Sequence, residues 1–274
     1  MAQRSPKRGS FSPKFLAVCF GNRDGRGTFG LWDLLTGRFT QRFGLAGELY
    51  ALSTERRIVA SAGPADLGGS AGDVCITDVN TGAVLGAWRT EGDRITRLKF
   101  SPDGSALAVA AGSDIRVRDT RSGEVKLTVG GRKRVRAVAF SSDGGLLAAA
   151  CSDGIGIDLS AVYVWDARSG VLVHSFKGHD DYLHSIAFSP DGRTLASSGR
   201  FQEAFLWDIE LKKLIRRLPR AGDLYESLAF SPGGRLLACG TGGKSQAITL
   251  WRSGSGKLAY LLKNHDIQIP FAPE

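Results

Sequence analysis

A recurring phrase constrains this chain more than any single residue does. It reads apolar, small, Phe, then a Ser-Pro-Asp-Gly-like turn, then a Leu-Ala pair seven residues after the Phe. Copies stand at Leu98-Lys99-Phe100 with Leu107-Ala108, and at Val138-Ala139-Phe140 with Leu147-Ala148. Two more stand at Ile186-Ala187-Phe188 with Leu195-Ala196, and at Leu228-Ala229-Phe230 with Leu237-Ala238. A unit this small cannot bury its own apolar face, so copies must stack on one another.

The anchor positions are Phe11, Leu52, Phe100, Phe140, Phe188, Phe230 and Phe271, spaced 40 to 48 residues apart. The longer intervals carry inserts at 64–72 and 155–160. Each unit reads as four short strands. The first ends on the anchor, as in Leu183 to Phe188, where period-2 alternation separates Ile186 and Phe188 from Ser185 and Ala187. The Ser189-Pro190-Asp191-Gly192 turn follows, with Pro presetting φ and Gly permitting a positive φ. The second strand is small and apolar, and the third is β-branched or aromatic. With 36 glycines and short segments, the class is all-β.

A second signal keeps step with the first. The third strand ends on Trp32-Asp33, Thr77-Asp78, Arg118-Asp119, Trp165-Asp166, Trp207-Asp208 or Trp251-Arg252. A Gly follows four residues after the Asp position in each case except the fifth, where Lys212 stands. The Asp can accept hydrogen bonds from turn amides, and the Gly takes the unusual φ.

These residues resemble the WD-repeat family of β-propellers, over residues 11 to 271. The resemblance implies a β-propeller with six recognisable four-stranded blades. It also implies a buried network of His, Ser or Thr, Trp and Asp in each blade. Here His179, Ser197 and Trp207 match three of the four positions, while the turn Arg200-Phe201-Gln202-Glu203 lacks the Asp. Trp32, Asp33, Trp165, Asp166, Asp208 and Trp251 take the remaining structural positions of the family phrase.

Residues 1–10 form a basic N-terminal tail, and 11–274 the propeller. Its units run about 11–51, 52–99, 100–139, 140–187, 188–229 and 230–270, with a terminal strand over 266–274. Two readings of the ends stay open. The terminal strand can insert beside unit one and close a six-bladed ring, which removes exposed sheet edges. Alternatively, the chain is a truncated part of a larger propeller.

The net charge of +9 gives a basic surface, which favours acidic partners without naming one. The four cysteines, Cys19, Cys75, Cys151 and Cys239, are far apart and mostly follow strand-like Ala runs. They read as reduced core thiols, which points to the cytoplasm. No apolar run is long enough for a signal core or a membrane span.

Residues that could carry chemistry read better as structure. His179 sits at the family's structural position, and His184 reads as a buried or interface histidine satisfied by hydrogen bonds, with no third ligand in view for a metal. The Gly-x-Ser-x-Gly match at Gly68 to Gly72 lies in an insert, without the strand-to-helix elbow such a nucleophile needs. Gly240 to Lys244 lacks the spacing of a phosphate loop. No catalytic residue, metal, cofactor or small-molecule substrate is expected.

The basic residues carry the functional expectation. In the resembled fold, the loops from a fourth strand to the next first strand share one rim with the loops between second and third strands. Arg132, Lys133, Arg134, Arg217 and Arg220 fall on or near loops of the first kind. Arg23, Arg26, Arg200 and Lys244 fall on the second kind. The resemblance implies a non-enzymatic scaffold that presents rim loops to a partner protein, here an acidic one. The alternatives are nucleic-acid binding through the same rim, or a regulatory propeller attached to a missing enzyme domain.

Overall fold

In a computed structural model, the described residues are 15–21, 26–33, 36, 38–46, 49–62, 73–90, 93–131, 133–200, 203–219, 224–241 and 247–263. The side chains of 15–35, 37 and 39–48 are outside that description, as are those of Asp73 and Ile157. The tail over 1–10 and the terminal strand expected over 266–274 lie outside it too.

Five antiparallel four-stranded sheets form in strict chain order. The first contains β4 (Leu49–Ser53), β5 (Ile58–Ala62), β6 (Asp73–Asp78) and β7 (Val84–Arg89). The next contains β8 (Ile95–Phe100), β9 (Ala106–Ala111), β10 (Asp114–Asp119) and β11 (Val125–Gly130). Then come β12 (Val135–Phe140), β13 (Leu146–Ser152), β14 (Ser160–Asp166) and β15 (Leu172–Phe176). They are followed by β16 (Leu183–Phe188), β17 (Thr194–Gly199), β18 (Ala204–Asp208) and β19 (Lys213–Leu218). The last sheet contains β20 (Tyr225–Phe230), β21 (Leu236–Thr241), β22 (Ile248–Arg252) and β23 (Leu258–Leu262). Before them, β1 (Phe15–Gly21), β2 (Arg26–Asp33) and β3 (Arg38–Ala46) make a sheet of three described strands.

The strand-ending phrases explain this regularity. In the turn after β8, the Ser101 hydroxyl donates to Asp103 at 2.6 Å and accepts from the Ala106 amide at 2.9 Å. The same pair of bonds recurs at Ser141 with Asp143 and Leu146, and at Ser189 with Asp191 and Thr194. Each hydroxyl bridges the two strands of its hairpin, so the turn fixes the register. After the third strand, Asp166 accepts from the amides of Arg168 and Ser169, and the Gly170 amide reaches the Asp166 carbonyl at 2.9 Å. The glycines of these turns all take a left-handed φ: Gly82 72°, Gly123 76°, Gly170 73° and Gly256 67°. Lys212, which replaces the glycine in the fifth turn, takes the same conformation at φ 53°.

The first strands are the hinge of the assembly. β4 packs on β8, β8 on β12, β12 on β16 and β16 on β20. The core lies between consecutive sheets. Ala108, Ala110 and Ile115 of one sheet meet Leu147, Ala149 and Tyr163 of the next. Small residues on the second strands let the sheets approach closely, and the aromatic third strands fill the wider space further out. Cys151 and Cys239 are buried free thiols in this core, and burial raises both pKa values to about 12.

Single hydroxyls stitch neighbouring sheets. Thr96 donates to the Val135 carbonyl at 3.4 Å, and Ser198 donates to the Tyr225 carbonyl at 3.0 Å. Ser152 accepts from the Leu183 amide at 3.3 Å, and Ser185 from the Leu228 amide at 3.1 Å.

Candidate functional site

The alternation of strand directions sends the loops between second and third strands to one end of the sheets, together with the loops that enter each new sheet. In the centre of that end, contacts tie successive loops together. Lys133, before β12, donates through its ammonium to the Asp158 carbonyl in the loop between β13 and β14. The neighbouring Arg134 amide donates to the Asp153 carboxylate at 2.8 Å. From the same loop, the Gly156 amide reaches the Asp180 carbonyl at 2.6 Å, and the Ser160 hydroxyl reaches the Asp181 carbonyl at 2.5 Å. The Arg200 amide then donates to the Tyr182 carbonyl at 2.8 Å. Lys133, Arg134 and Arg200 therefore stand on one continuous loop surface.

That surface is not uniformly basic. Asp153 and Asp158 sit among the cations, and Lys177 pairs with the Asp158 carboxylate at 3.6 Å. Arg217 lies apart, on β19, with its guanidinium 4.9 Å from the Phe205 ring centroid. Arg23, Arg132, Arg220 and Lys244, and the Arg26 side chain, lie outside the described residues, as do the side chains of Trp32 and Asp33.

Three of the expected structural residues come together. His179 and Trp207 both reach the Ser197 hydroxyl, His179 through Nε2 at 2.7 Å and Trp207 by donation from Nε1 at 2.7 Å. His179 also stacks on Phe205 with ring centroids 4.1 Å apart. Trp251 instead donates to Thr249 at 3.0 Å, and Trp165 stacks on Tyr163. Asp166 and Asp208 organise their turns by accepting backbone amides.

His184 departs from expectation. Its Nε2 is buried without a hydrogen-bond partner, so it is not a satisfied interface histidine. Burial lowers its pKa, and Arg200 and Arg136 add to that, while Glu226 and Asp181 oppose them.

His184 belongs to a row that the sequence reading passed over. In β8, β12, β16 and β20 the pairing with the second strand slips by one residue near the start. The extra residue of each bulge is Thr96, Arg136, His184 or Glu226, always four residues before the Phe anchor. A bulge re-aims a side chain at a sheet edge. Here it sets a hydroxyl, a guanidinium, an imidazole and a carboxylate along the edges where the first strands gather. Arg97 adds a second guanidinium beside Thr96. Its strand partner Ala110 faces the β12–β15 sheet, and so does Arg97.

At the opposite end, a cavity of about 430 Å³ opens between the ends of β4 and β8. Tyr50, Leu52, Leu98 and Phe100 line it, with Lys99 as its one charged group. Among the described residues no cluster of His, Cys, Asp or Glu could hold a metal ion. No described helix is long and apolar enough to cross a membrane.

Comparison with known proteins agrees with this architecture. The family model for the WD domain, G-beta repeat, matches residues 123–155 and 170–208. A WD repeat-containing protein, SL1-17 of Schistosoma mansoni, is 33% identical over 147 residues, covering 52% of this chain and 45% of that protein. A WD repeat-containing protein, VIP3 of Arabidopsis thaliana, is 30% identical over 141 residues, covering 45% of this chain and 42% of that protein. The intraflagellar transport protein 122 homolog of Homo sapiens is 32% identical over 118 residues, covering 42% of this chain and 9% of that protein. The chain thus spans less than half the length of each of these relatives. Repeats matched by the family model, relatives named for the same repeat and the stacked four-stranded sheets together support a WD-repeat family for this chain.

Proposed function

We propose that the chain is a non-enzymatic scaffold whose sheets hold a loop surface against an acidic segment of a partner protein. The observation that carries this reading is the bonded run of loops from Lys133 through the 153–159 loop to Tyr182 and Arg200. A rigid scaffold lets such loops vary in sequence at little cost to the core, and recognition concentrates there. The sheets belong, in this reading, to a six-bladed propeller. Closure of that ring would leave no open sheet edge. The buried free thiols Cys151 and Cys239 suit the reducing cytoplasm.

Charge reversal tests the surface. Arg132→Glu, Lys133→Glu and Arg134→Glu together should abolish binding of an acidic peptide while the circular dichroism spectrum stays that of a β protein. Unchanged binding removes this surface from the reading. Retention of DNA or RNA with a steep salt dependence would favour the nucleic-acid alternative instead.

A further inference from the structure

We infer that Arg97 and Arg136 form an anchor for one oxyanion, a carboxylate or a phosphate, carried by a protein segment that docks where the first strands gather. The inference rests on the scaffold reading and names the residues that would hold the partner's charge.

The two arginines stand on adjacent first strands. Thr96, the neighbour of Arg97, donates to the carbonyl of Val135, the neighbour of Arg136. The two arginines are therefore next in sequence to the two ends of one hydrogen bond between sheets. Among the described residues, neither makes an ion pair. Arg97 donates to the Thr96 carbonyl at 2.6 Å. Arg136 donates to the Ser152 carbonyl at 3.3 Å and lies 5.1 Å from the Tyr182 ring centroid. These contacts orient the side chains without bringing a carboxylate to either.

Such a pair opposes its own assembly. Solvent reaches Arg97, yet burial lowers its pKa, and the like charge of Arg136 lowers it further. An oxyanion between the two would remove that repulsion. Guanidinium groups present planar forks that match carboxylate and phosphate oxygens two at a time. The rest of the row gives the seat a direction. Beyond Arg136 come His184 and then Glu226, so the anionic group belongs at the β8 and β12 end.

Fluorescence polarisation on the full chain tests this. Three labelled peptides serve as probes: alternating Gly and Glu, alternating Gly and phosphoserine, and alternating Gly and Lys. At least one acidic peptide should bind, and added salt should weaken it. Arg97→Gln and Arg136→Gln should each weaken it about tenfold or more. Arg97→Lys, which keeps the charge on a straight stem, should fall between Arg97→Gln and the parent and so separates charge loss from damage to the fold. Parent-like affinity in both glutamine variants overturns the anchor. If the triple reversal at Arg132, Lys133 and Arg134 still abolishes binding in that case, the loop surface stands without the anchor. Failure of both acidic peptides, or equal binding of the lysine peptide, overturns both readings.

Discussion

Arg217 holds its guanidinium 4.9 Å from the centroid of Phe205, the ring that also stacks on His179. Phe205 is thus a shared platform for a cation and an imidazole, and Trp207 packs edge-on against it with centroids 5.5 Å apart. Arg217→Ala should cost about 0.5–1 kcal/mol by loss of the cation–π contact. A thermal melt of the variant checks this, and an unchanged midpoint would show that the contact contributes nothing.

Ser197 is the keystone of the same group. Its hydroxyl is fully buried and serves both His179 and Trp207. Ser197→Ala leaves the Trp207 N–H without this acceptor, at a cost of about 1–3 kcal/mol. Denaturant unfolding should show the loss, and it should exceed that of Arg217→Ala.

Lys212 carries a left-handed backbone that its counterparts assign to glycine. Lys212→Gly should raise stability by roughly 0.5–1 kcal/mol, because relief of the Cβ strain exceeds the added freedom of the unfolded chain. The reverse experiment is Gly170→Ala. Its Cβ would meet Leu127 Cδ1 at 2.5 Å with φ at +73°, so that variant should lose about 1–3 kcal/mol. Paired melts of the two variants should move in opposite directions.

Acid should act on stability in two windows. The Ser101 hydroxyl and neighbouring groups hold the Asp103 carboxyl down to about 2, and Ser141 and Ser189 lower Asp143 and Asp191 in the same way. Their stabilisation is complete above the ordinary value of 3.8 and is lost as pH falls through the lowered values. His184 acts earlier. Its pKa is lowered from 6.5, so the folded state resists the proton, and its share of stability fades as pH drops below 6.5. Burial sets the direction, and the charged groups that act on it are Glu226, Asp181, Arg200 and Arg136. In melts taken across the pH range, His184→Gln should flatten the upper window and leave the lower one, which Ser101→Ala should narrow.

The strands and their turns were legible because each is encoded locally. Ser189-Pro190-Asp191-Gly192 specifies a hairpin wherever it occurs, and the Asp166 and Gly170 pair does the same for the outer turn. The row of Thr96, Arg136, His184 and Glu226 was harder to read, although its place four residues before each anchor is regular. Simple alternation puts each of these residues on one face of its strand. The one-residue bulge breaks that alternation, and only pairing with the second strand reveals it. Lys133 shows a second limit. Its charge was plain in the sequence, but its engagement with the Asp158 carbonyl depends on how the 153–159 loop folds back. The sequence has no Asp from Arg200 to Glu203, and His179, Ser197 and Trp207 still bond to one another.

The hydroxyl stitches have a mechanical meaning. Thr96, Ser152, Ser185 and Ser198 each fasten a sheet only to the one that follows it, so a pull on one loop is relayed outward step by step. A partner gripping loops of two consecutive sheets would bridge such a fastening from outside and stop the pair from rocking. Slower amide exchange at Leu183 and Leu228, whose N–H groups donate to Ser152 and Ser185, would record that clamping, even where the sheets hardly shift.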